Sequence, residues 1–380
     1  MSEQATKGLA GIVVAESKTS LVDGQNGVLI YGGYKIEDLA ANALYEDVVF
    51  LLWNGRLPKA AELENLRREI ASSAALPPEI IAMLKAFPRD ADPMAVLESA
   101  VAALAFYDPD GKTNTLEASR RKAVRLVGQI TTLCAAWDRI RKGSEPVAPR
   151  ADLTLAQNFV YMLNGQEPDK TISDAIDVYL VLHADHGMNA STFTSRVITA
   201  TGADIHSAVV GGIGALKGPA HGGANAEAMR MFVEIGDPAN VESWFDANVR
   251  NGTRRVMGIG HRIYKTLDPR ASILERHARA LAAAAGNMRW FDIAHDLAET
   301  ALKDSYFIER KLYPNVDYYS AIVLYTIDLD IDMFTPLFAM SRSAGWSAHI
   351  FEQMENNRLI RPDSDYTGPL DLKWIPPAER

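Results

Sequence analysis

The sequence predicts a mainly α-helical protein that begins with a small β-hairpin or meander. Three observations carry this. Along most of the chain, apolar residues recur three and four positions apart, the spacing of a helix with one buried face. The joints between these stretches are short and marked by Pro or Gly. Only near the start do β-branched and aromatic residues gather around the turn-forming pairs Asp23-Gly24 and Asn26-Gly27.

Taken in order, Gly11 to Val14, Ser20 to Val22 and Val28 to Tyr31 are the expected strands. From Glu62 to Ile70 a helix places Leu63, Leu66 and Ile70 on one side with charges opposite. Asp92-Pro93 reads as an N-cap followed by proline at the first helical position, and Val96, Leu97, Ala100, Val101 and Leu104 then form a buried stripe. Glu117 to Ile140 continues the period through Ala123, Leu126, Val127, Ile130, Leu133 and Cys134. Lys142 to Arg150 and the proline-containing C-terminal tail are expected to be irregular. No internal repeat is present.

A chain of 380 residues accommodates one large or two moderate domains. Its longest apolar runs, such as Val48 to Trp53, fall short of the roughly 18 residues that suggest a membrane span. The first residues lack the apolar stretch of a secretory signal, and the single cysteine cannot form an internal disulfide, so a reducing cytoplasm is expected. A net charge of −9 argues against nucleic acid and anionic membranes as partners. An anionic small molecule would need a local basic pocket. Arg250, Arg254, Arg255, Arg262, Lys265 and Arg270, opposed within that run by Asp268 alone, form either such a pocket or a solvated basic face.

Three islands carry the chemistry: Gly218-Pro-Ala-His221-Gly-Gly-Ala-Asn225, Gly258-Ile-Gly-His261-Arg-Ile-Tyr-Lys265, and Pro314-Asn-Val-Asp317. Each sets an acid/base or hydrogen-bonding side chain beside backbone that a ligand can approach. His221 precedes an apolar run from Ala224 to Val233, where the positive end of a helix dipole would keep the imidazole neutral. Six glycines between Gly211 and Gly223 mark either a hinge or close helix packing. Abstracting a proton beside a thioester needs a positioned base and a donor for the oxyanion, while an attacked ketone needs a second donor. Asp317, His221 and His261 can fill these roles. Arginine binds carboxylates as a bidentate fork, and Arg270, Arg342 and Arg361 are the candidates. His183 and His186 could share a helical face, but no thiolate or separated carboxylate completes a zinc set; hydrogen bonding is the reading for His183, and no metal is expected.

The order of these motifs resembles the citrate synthase family over nearly the whole chain. His183-Ala-Asp-His186-Gly-Met-Asn189-Ala-Ser-Thr-Phe193 comes first, then the three islands, then Ser341-Arg342-Ser-Ala-Gly-Trp346, and finally Arg361-Pro362 with Tyr366-Thr-Gly368. Gly32 stands where relatives commonly have arginine in a Tyr-Arg-Gly-Tyr stretch. The resemblance implies a two-domain helical fold, with residues 1–222 and 329–380 in a large dimer-forming domain and 223–328 in a small domain that closes over the cleft. It implies condensation of acetyl-CoA with oxaloacetate, with acetyl-CoA as cosubstrate and no permanently bound cofactor. Asp317 would take the methyl proton, His221 would hold the enol oxygen, and His261 would polarise the oxaloacetate carbonyl. His186, Asn189, Arg270 and Arg342 would bind oxaloacetate, and Arg361 would reach the neighbouring subunit of a homodimer or a dimer-based higher oligomer. Met257, Gly258, Ile259, Gly260 and Lys265 would receive CoA, with Arg262 and Lys311 as phosphate contacts. Two other readings stand beside this one: a 2-methylcitrate synthase using propionyl-CoA, and a non-catalytic helical assembly protein. Tyr318, next to the base, is a packing residue or an influence on acyl choice.

Overall fold

The computed structural model describes residues 7–9 and 11–380. Seventeen α-helices and one three-stranded sheet make up its regular structure. Strand β1 (Ser20–Asp23) pairs antiparallel with β2 (Val28–Tyr31), Ser20 opposite Tyr31 and Asp23 opposite Val28; β2 pairs in turn with β3 (Tyr34–Lys35). The expected strand from Gly11 to Val14 does not form. Val13 is 85% exposed and this segment has no strand partner among the described residues, so its β-branched side chains have no sheet face to cover. Gly32 and Gly33 make the tight turn between β2 and β3 with φ of +50° and +93°. A Cβ on Gly32 would also lie 2.7 Å from Leu51 Cδ1, the end of a side chain that would have to shift.

Several helices begin at a side-chain cap. Asp92 accepts the Met94 amide at 2.8 Å with Pro93 at the first position, and Val96, Leu97, Ala100, Val101 and Leu104 are all buried. The helix over Ala60–Ser73 starts earlier than its apolar stripe because Glu62 reaches back to the Lys59 amide at 2.8 Å. The long helix Leu116–Arg141 packs against Phe334–Glu355 in the molecular core. Phe334–Glu355 is buried on nearly every side yet carries Ser341, Arg342, Ser343, Ser347 and His349 inward. Polar groups on a helix with no wet face need partners or a ligand.

Of the six glycines from Gly211 to Gly223, Gly211, Gly212 and Gly214 serve close helix packing: a Cβ at Gly212 would lie 2.7 Å from Ser195 Oγ and 3.0 Å from the Trp346 ring. Residues 356–380 carry no helix or strand apart from a short 3₁₀ turn at Pro377–Glu379. Among the described residues, no helix is long and apolar enough to cross a membrane.

Candidate active site

Asp317 lies in the first turn of the helix Val316–Thr326, capped by Asn315, whose Oδ1 accepts the Asp317 amide at 2.9 Å. The same Asn315 joins two of the islands. Its amide donates to Gly258 O at 2.9 Å and its Nδ2 to Gly260 O at 2.8 Å, while the Gly260 amide donates to Tyr313 O at 2.8 Å. Gly258 (φ +79°) and Gly260 (φ +95°) are required for this clamp, and a Cβ on Gly258 would sit 2.9 Å from Tyr318 Cα. Tyr318 turns away, donating to Ala294 O at 2.7 Å, and is therefore a packing residue. Asp317 Oδ1 is buried with no hydrogen-bond partner. Burial pushes this carboxyl up to about 6, against the opposing pull of Arg270 and Arg342.

His261 accepts two amides at Nδ1, from Ile263 at 3.0 Å and Tyr264 at 3.1 Å. Its proton therefore sits on Nε2, which is left to donate. Burial, and then the Arg270 charge, hold the ring down to about 4, so it is neutral near pH 7. Tyr264 is the hub of this side: its hydroxyl lies 3.1 Å from His186 Nε2, and its ring packs against both His186 and His261. Arg270 is buried and paired through Nε and Nη2 with Asp268. Asp268 also accepts the Val316 amide at 3.2 Å, linking Arg270 to the helix of Asp317.

His221 uses the other tautomer. Its Nε2 accepts the Ser191 amide at 3.3 Å and lies 2.9 Å from Ser191 Oγ, leaving Nδ1 with the proton. Burial, followed by Arg342, brings it down to about 4. The helix expected after His221 forms over Ala224–Ile235, and a second helix N-terminus also meets the imidazole: Ser191 is in the first turn of Ala190–Ala200, whose N-cap is Asn189. Ser191 Oγ also meets Asn189 Oδ1 at 2.8 Å and accepts Trp346 Nε1 at 3.1 Å. Sequence reasoning gave roles to Asn189 and not to Ser191, although an Asn cap followed by Ser and Thr points the first-turn amides and hydroxyls at one place. Tyr264 was equally overlooked.

Arg342 carries its charge in the interior. It is 1% exposed, donates from Nε to His183 O at 2.8 Å and stacks over Phe338 at 4.7 Å, yet no carboxylate among the described residues lies within 4.0 Å of it. A buried cation with no counter-ion is costly and calls for an anion. Its charge helps to lower His186 and His221 and to restrain Asp317. His183 has the structural part expected of it, with Nδ1 2.8 Å from Tyr179 O and the ring stacked on Tyr179.

The basic run divides. Arg250 is paired with Glu242, Asp246 and Asp304, and Arg254 with Glu234. Arg255, Arg262 and Arg310 line a cleft of about 830 Å³ that opens beside Ile259, Gly260 and His261. Lys265 and Lys311 do not line it; Lys311 ends a helix with φ +52° and Lys265 directs Nζ toward Arg262 O at 3.5 Å. Arg361 stays apart from the cluster within this chain, exposed in the tail and paired with Asp363 at 2.7 Å. No group of three or more His, Cys, Asp or Glu among the described residues is arranged to hold a metal ion.

The helical fold thus gathers a carboxyl of raised pKa, two neutral imidazoles of opposite tautomer and a buried guanidinium with no carboxylate partner among the described residues, and the relatives that the chain matches over its full length make it an enzyme of the condensing acyltransferase type. The family model described as citrate synthase, C-terminal domain, matches residues 8–363, and the chain belongs to the citrate synthase family. It is 46% identical to citrate synthase 2 of Bacillus subtilis over 99% of both chains. It is 40% identical to a 2-methylcitrate synthase of Mycobacterium tuberculosis, over 95% of this chain and 90% of the relative. Among solved structures, a ternary complex of carboxymethyl coenzyme A and oxaloacetate with citrate synthase from Thermoplasma acidophilum superposes with a TM-score of 0.93 at 35% identity, covering 100% of both chains.

Proposed function

We propose that the protein condenses acetyl-CoA with oxaloacetate and water to give citrate and CoA. The observation that carries this reading is the buried Arg342 with no carboxylate partner beside a carboxyl, Asp317, whose Oδ1 is also unpartnered. A dicarboxylate would neutralise Arg342 and the remaining donors of Arg270, with His186 and Asn189 bounding the same space. Asp317 Oδ1 takes a methyl proton from acetyl-CoA; the Nδ1–H of His221 stabilises the enol oxygen; the Nε2–H of His261 polarises the ketone that the enol carbon attacks. Water then cleaves the citryl thioester and releases CoA. Neutral imidazoles suit both donor roles, since each can stabilise developing negative charge without first losing a proton.

The loop Met257–Gly260 would receive the pantetheine end of CoA, and the cleft lined by Arg255, Arg262 and Arg310 its phosphates. In this reading residues 1–222 and 329–380 form the large domain, and 223–328 a small domain that closes over bound oxaloacetate. The exposed tail bearing Arg361, Tyr366 and Trp374 reaches a second copy of the chain, so the working enzyme is a homodimer. The absence of any internal disulfide partner for Cys134 supports a cytoplasmic setting.

The likeness to a 2-methylcitrate synthase supports propionyl-CoA as the alternative acyl donor. One methylene changes discrimination by about 1–3 kcal/mol, roughly 10- to 200-fold. Initial rates of oxaloacetate-dependent CoA release should favour acetyl-CoA over propionyl-CoA by at least tenfold in kcat/KM. Equal or reversed rates would move the assignment to the methylcitrate reaction.

A further inference from the structure

We propose that the β1–β2 hairpin is a strut of the active site, with Gly24 as a positioning residue at its tip. The open end of the hairpin holds the turn that carries His186. Ser20 Oγ donates to Asp185 Oδ2 and accepts the Gly187 amide at 3.0 Å. Tyr31, paired with Ser20 across the two strands, donates its hydroxyl to Asp185 O at 2.6 Å and accepts the Asp185 amide at 3.2 Å. His186 is thus fixed from both sides.

About 10 Å away, three strand steps along, the tip holds the loop that carries His261. Gly24 O accepts the Lys265 amide at 2.8 Å. A Cβ on Gly24 would lie 2.3 Å from Ile263 O and 2.6 Å from the Ile263 carbonyl carbon, and one on Gly27 would lie 2.9 Å from Leu267 O. The tip is stiff, because the Asp23 carboxylate accepts the Gln25 and Asn26 amides, each at 3.1 Å, and Asn26 Nδ2 at 2.7 Å. The Ile263 carbonyl shares its peptide with the Tyr264 amide, which donates to His261 Nδ1 at 3.1 Å alongside the Ile263 amide at 3.0 Å. Pressure on that carbonyl therefore shifts the peptide that holds the ketone-polarising imidazole.

Gly24 lies outside the left-handed region of φ, so alanine fits its backbone and acts only as a wedge against Ile263. The strut rests on the reading of His261 as a donor to substrate. In Gly24→Ala, kcat for oxaloacetate-dependent CoA release should fall at least tenfold while KM for oxaloacetate changes less than threefold and the thermal midpoint stays within a few degrees. Gln25→Ala, exposed at the same tip, should leave both constants unchanged. Unchanged kinetics in Gly24→Ala, with Asp317→Asn inactive, would overturn the strut and leave the functional reading standing. Hydrogen exchange on the wild-type protein reads the contact independently of activity and of how the variant folds: the Lys265 amide should be protected at least tenfold over an unstructured peptide. An unprotected Lys265 amide would overturn the strut by itself.

Discussion

Replacing Asp317 with Asn is expected to lower kcat for CoA release by roughly a thousandfold, within the 10²–10⁴ range of a positioned general base. The amide keeps the shape and removes only the ability to take a proton. Stability should move the other way. The folded carboxyl, pushed up to about 6 by burial, stands above its ordinary value of 3.8. Between about pH 4 and 6 the folded state therefore holds a proton that the unfolded state has released, and stability falls as pH rises through that window. At 1.36 kcal/mol per pKa unit the cost of ionising Asp317 at pH 7 is about 2–3 kcal/mol, an upper figure because the residue is not fully buried. Asp317→Asn escapes that cost. At pH 7 its thermal midpoint should match or exceed the wild type, and the difference should disappear near pH 4. A variant both inactive and several degrees less stable at pH 7 would indicate that Asp317 serves the fold.

Arg342→Leu is the second large effect. Loss of a buried guanidinium that meets a carboxylate is worth about 2–5 kcal/mol, so KM for oxaloacetate should rise roughly 30- to 4,000-fold. KM for acetyl-CoA, measured at saturating oxaloacetate, should change little. Because Arg342 has no carboxylate within 4.0 Å among the described residues, the fold depends on it only through the bond to His183 O and the stacking on Phe338. The thermal midpoint should accordingly stay within a few degrees. A collapse in stability with an unchanged KM would make Arg342 a structural residue.

The local parts of this structure were legible in the sequence because local signals decide them. Asp92-Pro93 caps the helix it was expected to cap, and the Asp23-Gly24 and Asn26-Gly27 pairs bracket the turn of a real hairpin. What the sequence did not reveal are the partners supplied from a distance. His221 takes its tautomer from Ser191, 30 positions earlier, and Ser191 is in turn held by Trp346, 155 positions further on. Charge was legible only inside its own window. Arg250 and Arg254 read as free cations until Glu234, Glu242 and Asp304 arrive from outside the run. The failed strand at Gly11 to Val14 has the same origin, since β-branched composition marks a willing strand but not its partner.

The central claim, that Asp317 is the base and both imidazoles work uncharged, is tested most directly by the pH dependence of kcat/KM for acetyl-CoA in oxaloacetate-dependent CoA release, from pH 5 to 8. The carboxyl titrates near 6 and the two histidines near 4. The rate should rise with the loss of one proton at a midpoint near 6 and then stay level to pH 8. No oxaloacetate-dependent release, or a rate that falls as pH rises from 6 to 7 as an imidazolium is lost, would contradict it.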